Sequence, residues 1–215
     1  MRLFICAIIC FVFFTLPCSA RTEDKVPEMK KNIYNIFNKM DPEGSSTGPT
    51  GSELAWSESY ILKGFISAYE ATGDTLFLSR LCKHAQNIFL IRDDFTGIKD
   101  EFRSRVVPAW SSTQYTEDKN YAWIVHTGMV TFPLARFVYL VRRDNTLSEQ
   151  FGERADLILA RVEETVKCFD DCFIRGPEPN EGHYEGIYFG HELPLNQQNA
   201  LGRTLVALWL ATGDR

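Results

Sequence analysis

The sequence predicts an all-α protein built from helical hairpins. Aspartates recur every 70 residues, at Asp74, Asp144 and Asp214, and each follows an apolar segment. A fixed period of this kind indicates a repeated supersecondary unit. Within a unit, the first helical pattern is apolar nearly all round and the second is apolar on one side. This difference is expected of inner and outer helices in a layered array, because an inner helix is covered on more than one side.

The first 20 residues have the pattern of a secretory signal peptide. Arg2 supplies a positive charge, residues 3–16 are apolar, and residues 18–20 form a small-residue cleavage site. We therefore expect a secreted or secretory-lumen protein whose mature chain begins at Arg21, with a signal anchor as the alternative. No later stretch suggests a transmembrane segment, so no stable membrane span is expected after cleavage.

Charge and cysteine content exclude several classes of protein. The net charge is −5 at pH 7 and no Lys/Arg stripe occurs, so we expect no nucleic-acid partner. Three of the six cysteines lie in the signal segment, and the remaining three are too few for a disulfide scaffold. Cys168 and Cys172 are four residues apart. A local disulfide and two ordinary buried thiols both fit this spacing.

Residues 21–52 form an N-terminal helix and a linker ahead of the repeats. The stretch from Met29 to Met40 carries Ile33, Ile36 and Phe37 on one helical face. Residues 41–51 are rich in Pro, Gly, Ser and Thr, which predicts a linker. The domain of helical hairpins is expected to span residues 53–215.

The first hairpin is predicted to begin at Leu54. Its inner helix runs to Ala71, and Gly73 is expected to end it, because glycine readily adopts the left-handed conformation that closes a helix. The outer helix has a one-sided apolar pattern and a wetter face. The residues expected on that wetter face are Arg80, Lys83, His84 and Gln86.

The second and third units repeat this pattern. Residues 123–141 are broadly apolar, and the helix after Asp144 has an apolar residue at every third or fourth position. The third unit contributes only an inner helix, from Leu195 to Ala211. The stretches 93–118 and 174–193 are rich in Gly, Pro, aromatic and charged residues, and loops of this length are commonly functional.

Three segments carry a resemblance to a known group. They are Leu54-Ala-Trp-Ser-Glu-Ser-Tyr, Ala71-Thr-Gly-Asp with the helix after it, and Leu195-Asn-Gln-Gln-Asn-Ala-Leu-Gly-Arg with its own Ala-Thr-Gly-Asp. Together they resemble the six-hairpin (α/α)6 toroid glycosidase-like superfamily, and the resemblance covers residues 54–215. It implies a carbohydrate-active ring of alternating inner and outer helices, and it implies no cofactor.

Only about two and a half hairpins of such a ring occur in this sequence. The chain is therefore expected to be a partial toroid: an N-terminal fragment, a short isoform, or a divergent half-ring. An unclosed ring leaves apolar flanks on its first and last hairpins, so we expect self-association through these edges.

Three residues are candidates for catalysis. Glu58 lies on an apolar helix between Trp56 and Tyr60, where desolvation favours the protonated form that a general acid requires. The alternative is a charge that complements the helix dipole. His126 and Tyr60 are candidate bases for a uronate lyase or epimerase. For His126 the alternative is a core histidine whose hydrogen bonds are satisfied.

The N-terminal ends of the inner helices are the expected binding end. The 70-residue register aligns Trp56, His126 and Asn196 there, and helix N-termini favour anionic ligands such as uronates. Asn196, Gln197 and Asn199 belong to a run of four amides. We expect them to bind sugar hydroxyls or a carboxylate, with helix capping as the alternative.

The connecting stretches supply aromatic side chains and acids. Trp110 and Tyr184 are expected to stack on sugar faces, with packing in the mouth of the toroid as the alternative. His183, Glu185, His191 and Glu192 match no zinc or calcium spacing, so no metal site is expected.

Composition and resemblance together predict a secreted domain that acts on or binds a polysaccharide or uronate oligosaccharide and is inactive alone if truncated. Glycosidases generally use two carboxylates, and Glu58 is the only one well placed within the repeats. The alternatives are a uronate-directed lyase or epimerase and a non-catalytic helical-repeat binding or scaffold protein.

Overall fold

The computed structural model describes residues 26–39, 44 and 48–213, and this part of the chain is mostly helical. The all-α prediction is thus confirmed. The predicted signal peptide and Asp214 lie outside the described residues. The α-helices are α1 (Val26–Lys39), α2 (Gly51–Glu53), α3 (Ser59–Thr72), α4 (Leu76–Leu90), α5 (Asp93–Thr96), α6 (Ile124–Arg142), α7 (Asn145–Lys167) and α8 (Leu195–Thr212).

Short antiparallel strands occupy the two long connecting stretches. In the first stretch β1 (Lys99–Asp100) pairs with β2 (Arg105–Val106), and β3 (Ser111–Ser112) pairs with β4 (Tyr121–Ala122). In the second, β5 (Phe173–Arg175), β6 (Gly182–Gly186) and β7 (His191–Glu192) form a three-stranded sheet in that order. The connections predicted as ordered loops are therefore ordered by small hairpins.

The first hairpin begins earlier than the sequence predicts. Thr50 and Glu53 form a reciprocal capping box, in which the Thr50 side chain accepts from the Glu53 amide and the Glu53 side chain accepts from the Thr50 amide. A π-helical turn, Leu54–Glu58, then joins α2 to α3. The predicted helix from Leu54 is thus one continuous helical segment from Gly51, with a π turn in its first half.

The repeat appears in the structure as two layers of helices. Helix α3 packs against α4 and α6 packs against α7, each pair being a hairpin, while α6 also contacts both α3 and α8. Helices α3, α6 and α8 thus form one layer, and α4 and α7 form the second. The sequence predicts the helices of the first layer to be inner helices and those of the second to be outer helices.

Helices within each layer run parallel and keep the 70-residue register. In the first layer Trp56 meets His126 near the starts of their helices, and Glu70 pairs with Arg136 further along. In the second layer Arg92, which follows α4, donates to Glu164 near the end of α7 at 2.8 Å. Residues about one period apart are therefore neighbours on adjacent helices.

The recurring aspartates and glycines shape the hairpin turns. Gly73 ends α3 with φ 72° and Gly213 ends α8 with φ 77°, the left-handed conformation predicted for such a C-terminus. Asp144 caps α7 by accepting from the Leu147 amide at 3.0 Å, and Asp74 accepts from the Leu76 amide at 2.8 Å. Asp74 and Asp144 therefore have structural roles.

Helix α1 covers one side of the first hairpin. The ring of Phe37 lies 5.2 Å from that of Phe65 on α3 and 5.5 Å from that of Phe77 on α4, measured between centroids. A Cβ on Gly64 would lie 2.9 Å from the Phe37 ring, so the glycine permits this close approach. The predicted N-terminal helix is confirmed, and its apolar face closes the α3–α4 edge of the layers.

Helix α6 is the central helix of the fold. By length and composition alone it could cross a membrane, with a mean hydropathy of 1.4 over its most apolar window. However, 67% of that window is buried inside the protein. Its apolar character is accounted for by contact with α3, α7 and α8.

The structure decides two expectations from the sequence, the position of His84 and the state of Cys168 and Cys172. His84 was expected on the wetter face of α4 but is fully buried, so that assignment is wrong. Cys168 and Cys172 are free thiols, so the local disulfide is not formed. Burial raises the pKa of Cys168 to about 12 and that of Cys172 to about 11, which keeps both as unreactive thiols.

Candidate functional site

Glu58 is directed into the first hairpin. It lies at the end of the π-helical turn, is only 5% exposed, and hydrogen-bonds through Oε1 to Nδ1 of His84. The imidazole of His84 also packs edge-on against Phe65, with ring centroids 5.0 Å apart. Because His84 belongs to α4, the Glu58 carboxyl lies between the two layers, where it forms a buried polar pair with His84.

His126 is buried at the start of α6. It is 1% exposed, and burial lowers its pKa to about 4, so the imidazole is neutral at physiological pH. The rings of Trp56 and Trp123 lie 5.7 Å and 6.0 Å from it. Within the described residues Nδ1 has no hydrogen-bond partner, which a fully satisfied core histidine would have.

The three candidate catalytic residues are not brought together. Glu58 and Tyr60 are two positions apart on one helix, which places them on roughly opposite sides of it. Glu58 contacts α4, whereas Tyr60 is 54% exposed. Trp56 lies one turn before Tyr60 and is 46% exposed, so these two aromatic rings share the accessible side of the helix.

The accessible side of the first layer carries a patch that we call the cationic face. It consists of Tyr60, Lys63, Phe132, Asn199 and Arg203. Lys63 Nζ lies 3.9 Å from the centroid of the Tyr60 ring, and Arg203 Cζ lies 4.7 Å from that of Phe132. Each cation is thus held against an aromatic ring that fixes its position.

The two cations come from helices α3 and α8, and the charge of Arg203 acts on Lys63. The pKa of Lys63 is lowered, chiefly by partial burial and then by the positive charge of Arg203. Among residues 48–213 neither side chain forms an ion pair. Two positive charges that have no ion-pair partner in this part of the chain generate a field that attracts anions.

A shallow cavity adjoins Arg203. Its volume is about 610 Å³, and it is lined by Phe132, Asn199, Gly202, Arg203 and Val206. Arg203 also places Nη2 3.3 Å from the sulfur of Met129, which anchors the base of the guanidinium on α6. The cationic face therefore combines charge, aromatic surface and a concave floor.

The four amides at the start of α8 serve different purposes. Asn199 is exposed and belongs to the cationic face, and Asn196 is exposed away from these contacts. Gln198 accepts from the Tyr184 amide at 3.0 Å and donates to the Leu193 carbonyl at 2.7 Å, so it fixes β6 to α8. Gln197 buries its Oε1 without a partner in the described chain.

The two candidate stacking residues of the connecting stretches are used for packing. Trp110 is 2% exposed and donates from Nε1 to the Ile88 carbonyl at 2.9 Å. Its ring faces are covered, so a substrate-stacking role does not fit this geometry. Tyr184 is half-buried and packs edge-on against Phe173, with centroids 5.1 Å apart. Both residues therefore have packing contacts, whereas the alternative of packing in the mouth of a toroid stays a prediction.

The described residues contain no group of three or more His, Cys, Asp or Glu side chains arranged to hold a metal ion. Glu185 and Glu192 lie opposite each other on β6 and β7, and both are at the protein surface. Neither lies on the cationic face.

Lys63 and Arg203 were missed as candidates from the sequence. The 70-residue register could have identified them, because the two residues are separated by two periods of 70. Extending the alignment of Trp56, His126 and Asn196 by two helical turns places both cations in one column.

Comparisons of the chain with protein-family models, with curated proteins and with solved structures found no match. The class that the fold and the site define is therefore a structural one. It is a layered helical-hairpin protein with an exposed cationic and aromatic face.

Proposed function

We propose that the protein is a secreted, six-hairpin glycosidase-like domain that binds an anionic saccharide, such as a uronate oligosaccharide, on its cationic face. The observation that carries this proposal is that Lys63 and Arg203, each held on an aromatic ring and neither in an ion pair within residues 48–213, lie near enough for the charge of Arg203 to lower the pKa of Lys63. A uronate carboxylate supplies the missing negative charge. The guanidinium of Arg203 binds such a group through two parallel N–H donors.

The aromatic residues support a sugar as the carrier of the negative charge. Trp56 and Tyr60 are 46% and 54% exposed, and the Tyr60 ring lies against Lys63. Sugar rings present apolar C–H faces together with hydroxyls, and sites that combine exposed aromatics with a few polar groups suit them. Asn199 adds an amide donor and acceptor beside Arg203.

The position of Glu58 favours binding over hydrolysis. A glycosidase needs two carboxyl groups flanking the scissile bond, at separations of about 5–9.5 Å. Glu58 is engaged with His84 between the layers, and the five residues of the cationic face include no carboxylate. The chain is thus described better as a binding domain of this architecture than as a complete hydrolase.

A second candidate function is uronate lyase or epimerase chemistry, and one contact favours it. Lys63 Nζ lies 3.9 Å from the centroid of the Tyr60 ring, so the candidate base and a cation stand side by side. Arg203 would then neutralise the uronate carboxylate, and the Asn199 amide would donate a hydrogen bond to it. An unsaturated or epimerised product that disappears in Tyr60→Phe would support this function.

The ring architecture is part of the same proposal. Two successive hairpins with parallel helices in each layer support a curved array that repeats with a period of 70 residues. Small-angle scattering of the secreted protein tests the curvature, and sequencing of its N-terminus tests cleavage before Arg21. An N-terminus at Met1 would contradict the signal peptide.

The binding experiment compares oligogalacturonate with a neutral dextran oligosaccharide by isothermal titration calorimetry. We expect binding of the uronate only, weakened at least tenfold by Lys63→Gln or Arg203→Gln and weakened by added salt. Arg136→Gln is the matched control, because Arg136 is also cationic and lies in the same layer but is paired with Glu70. Equal affinity for both saccharides, or equal loss in the control, would contradict the proposal.

A further inference from the structure

A group of buried polar atoms lies where α6 and α8 begin, and within the described residues none of them has a hydrogen-bond partner. They are Nε1 of Trp123, Nδ1 of His126, Oγ1 of Thr127 and Oε1 of Gln197. The first three of these residues are 3%, 1% and 1% exposed. Buried polar atoms in proteins are nearly always hydrogen-bonded, so four exceptions in one region call for an explanation.

The four residues belong to one region of the structure, which we call the Trp123 site. The Trp123 and His126 rings lie 6.0 Å apart between centroids, and Thr127 follows Trp123 by one turn of α6. Gln197 lies one turn of α8 before Ala200, which packs in the same cluster as Trp123. The unpartnered atoms of α6 and α8 are therefore close enough to serve a single ligand.

The Trp123 site combines donors and acceptors and carries no charge. The indole N–H of Trp123 only donates and the amide oxygen of Gln197 only accepts, whereas the imidazole of His126 and the hydroxyl of Thr127 supply either function. The imidazole is neutral at physiological pH, because burial lowers its pKa to about 4. A sugar hydroxyl also donates and accepts without charge, so it matches this set of atoms.

The cover over Trp123 is thin and aromatic. The rings of Tyr188 and Phe189, in the turn between β6 and β7, lie 5.9 Å and 5.7 Å from that of Trp123. Phe189 is 38% exposed, so a single side chain separates Trp123 from solvent at this point. Tyr115 contacts the same ring at 6.1 Å with φ 70°, and strained backbone of this kind is common at ligand-binding sites.

Trp56 joins the Trp123 site to the cationic face. Its ring contacts His126, with centroids 5.7 Å apart. It also lies one turn before Tyr60 of the cationic face, on the same accessible side of the helix. A saccharide that places one uronate on the cationic face therefore extends over Trp56 toward the Trp123 site.

We propose that the Trp123 site binds the hydroxyls of the sugar unit next to that uronate. The turn that carries Tyr188 and Phe189 moves aside to admit them. This inference rests on the proposed function, which it extends from a site for one sugar unit to a site for two.

Isothermal titration calorimetry with galacturonate and with trigalacturonate tests the proposal in the unmodified protein and in Trp123→Phe. The phenyl ring keeps an aromatic side chain at position 123 but lacks the indole N–H. We expect the unmodified protein to bind the trisaccharide at least tenfold more tightly than the monosaccharide. Trp123→Phe should weaken trisaccharide binding at least threefold and leave monosaccharide binding unchanged.

Trp110→Phe is the matched control, because Trp110 is a buried tryptophan whose Nε1 already donates to the Ile88 carbonyl at 2.9 Å. Removing this satisfied donor should lower the unfolding temperature and leave both affinities unchanged. Trp123→Phe removes a donor without a partner in the described chain, so it should destabilise less than Trp110→Phe. Lost stability with unchanged trisaccharide affinity in Trp123→Phe would indicate a structural role and overturn the proposal.

Nuclear magnetic resonance of the indole N–H groups gives a second measurement on the unmodified protein. The Trp123 signal, assigned by its loss in Trp123→Phe, should shift downfield when trigalacturonate is added, whereas the Trp110 signal should not move. A Trp123 signal that stays in place while the trisaccharide binds would mean that water or another segment of the chain satisfies the indole, and would overturn the proposal.

The two proposals fail in different ways. If neither saccharide binds, both the proposed function and the Trp123 site are overturned. If the trisaccharide binds equally well to the unmodified protein and to Trp123→Phe, only the Trp123 site is overturned.

Discussion

The ring of Trp56 meets the ring of His126 edge to face, with centroids 5.7 Å apart and ring planes at 89°. The two residues are 70 positions apart, so the sequence repeat is realised as a contact between neighbouring helices. Trp56 stays 46% exposed while it shields His126, which is 1% exposed. The exposed ring of Trp56 therefore packs directly against the buried, neutral imidazole of His126.

The burial of His126 predicts a loss of stability in acid. Its pKa is about 4 in the folded protein against 6.5 in a solvated chain, so the unfolded chain binds more protons between these values. The stability that depends on a neutral His126 is fully present above pH 6.5 and is lost as the pH falls toward 4. By linkage it amounts to roughly 3 kcal/mol.

Urea unfolding at pH 7.5 and pH 4.5 measures this effect in the unmodified protein and in His126→Gln. We expect the variant to lose less stability between the two pH values. His191→Gln is the control, because it replaces an exposed histidine and should leave the loss of stability between the two pH values as it is in the unmodified protein. Parallel pH profiles for His126→Gln and the unmodified protein would mean that His126 is not the group responsible.

The buried pair of Glu58 and His84 predicts a structural effect of mutation. Glu58→Ala removes the carboxyl that hydrogen-bonds to the imidazole inside the first hairpin, and removing one partner of a buried hydrogen bond costs about 1–3 kcal/mol. Chemical denaturation measures this cost. Glu70→Ala is the control, since its pair with Arg136 is exposed and should cost at most about 1 kcal/mol. A Glu58→Gln protein of unchanged stability that loses a measured turnover would instead restore the catalytic role.

Two glycine substitutions are predicted to have opposite effects on stability. Gly128 lies at the close crossing of α6 and α8, whereas Gly152 lies on α7 with open space around it. A Cβ on Gly128 would overlap the backbone of Ala200, so we expect Gly128→Ala to destabilise the protein by about 1–3 kcal/mol. In Gly152→Ala, on α7, the new methyl group has no neighbour within 4 Å, and higher helix propensity should stabilise by up to about 1 kcal/mol. The thermal unfolding temperatures of both variants test this prediction. Stabilisation by both substitutions would contradict the close packing at Gly128.

The remaining cysteines are expected to be slow to react in the folded protein. Burial raises the pKa of Cys82 to about 11, that of Cys168 to about 12 and that of Cys172 to about 11, so few thiolates exist near pH 8. Reaction with a chromogenic disulfide should be slow until denaturant is added, when all three should react. Fewer reactive thiols in the denatured, unreduced mature protein would reveal a disulfide.

The hairpin helices and several of their ends were predictable because their signals are local. The apolar spacing after Asp144 and the glycine at position 73 specify α7 and the end of α3 without reference to distant residues. The prediction that His84 lies on the wetter face was wrong, although the spacing places it on the same helical face as Leu81 and Ile88. Its spacing already indicated burial, but only the structure identifies Glu58 as its partner.

The sequence by itself determined the helical units, their turns and their period, because these depend on spacing and on backbone conformations within a few residues. The tertiary structure alone decided that Glu58 turns toward α4 and that Lys63 lies within reach of the charge of Arg203. Those relationships join residues 26 and 140 positions apart, and they depend on how helices pack side by side. The direction of a side chain relative to a distant helix has no local signature, so the cationic face emerges only when α3, α6 and α8 are assembled.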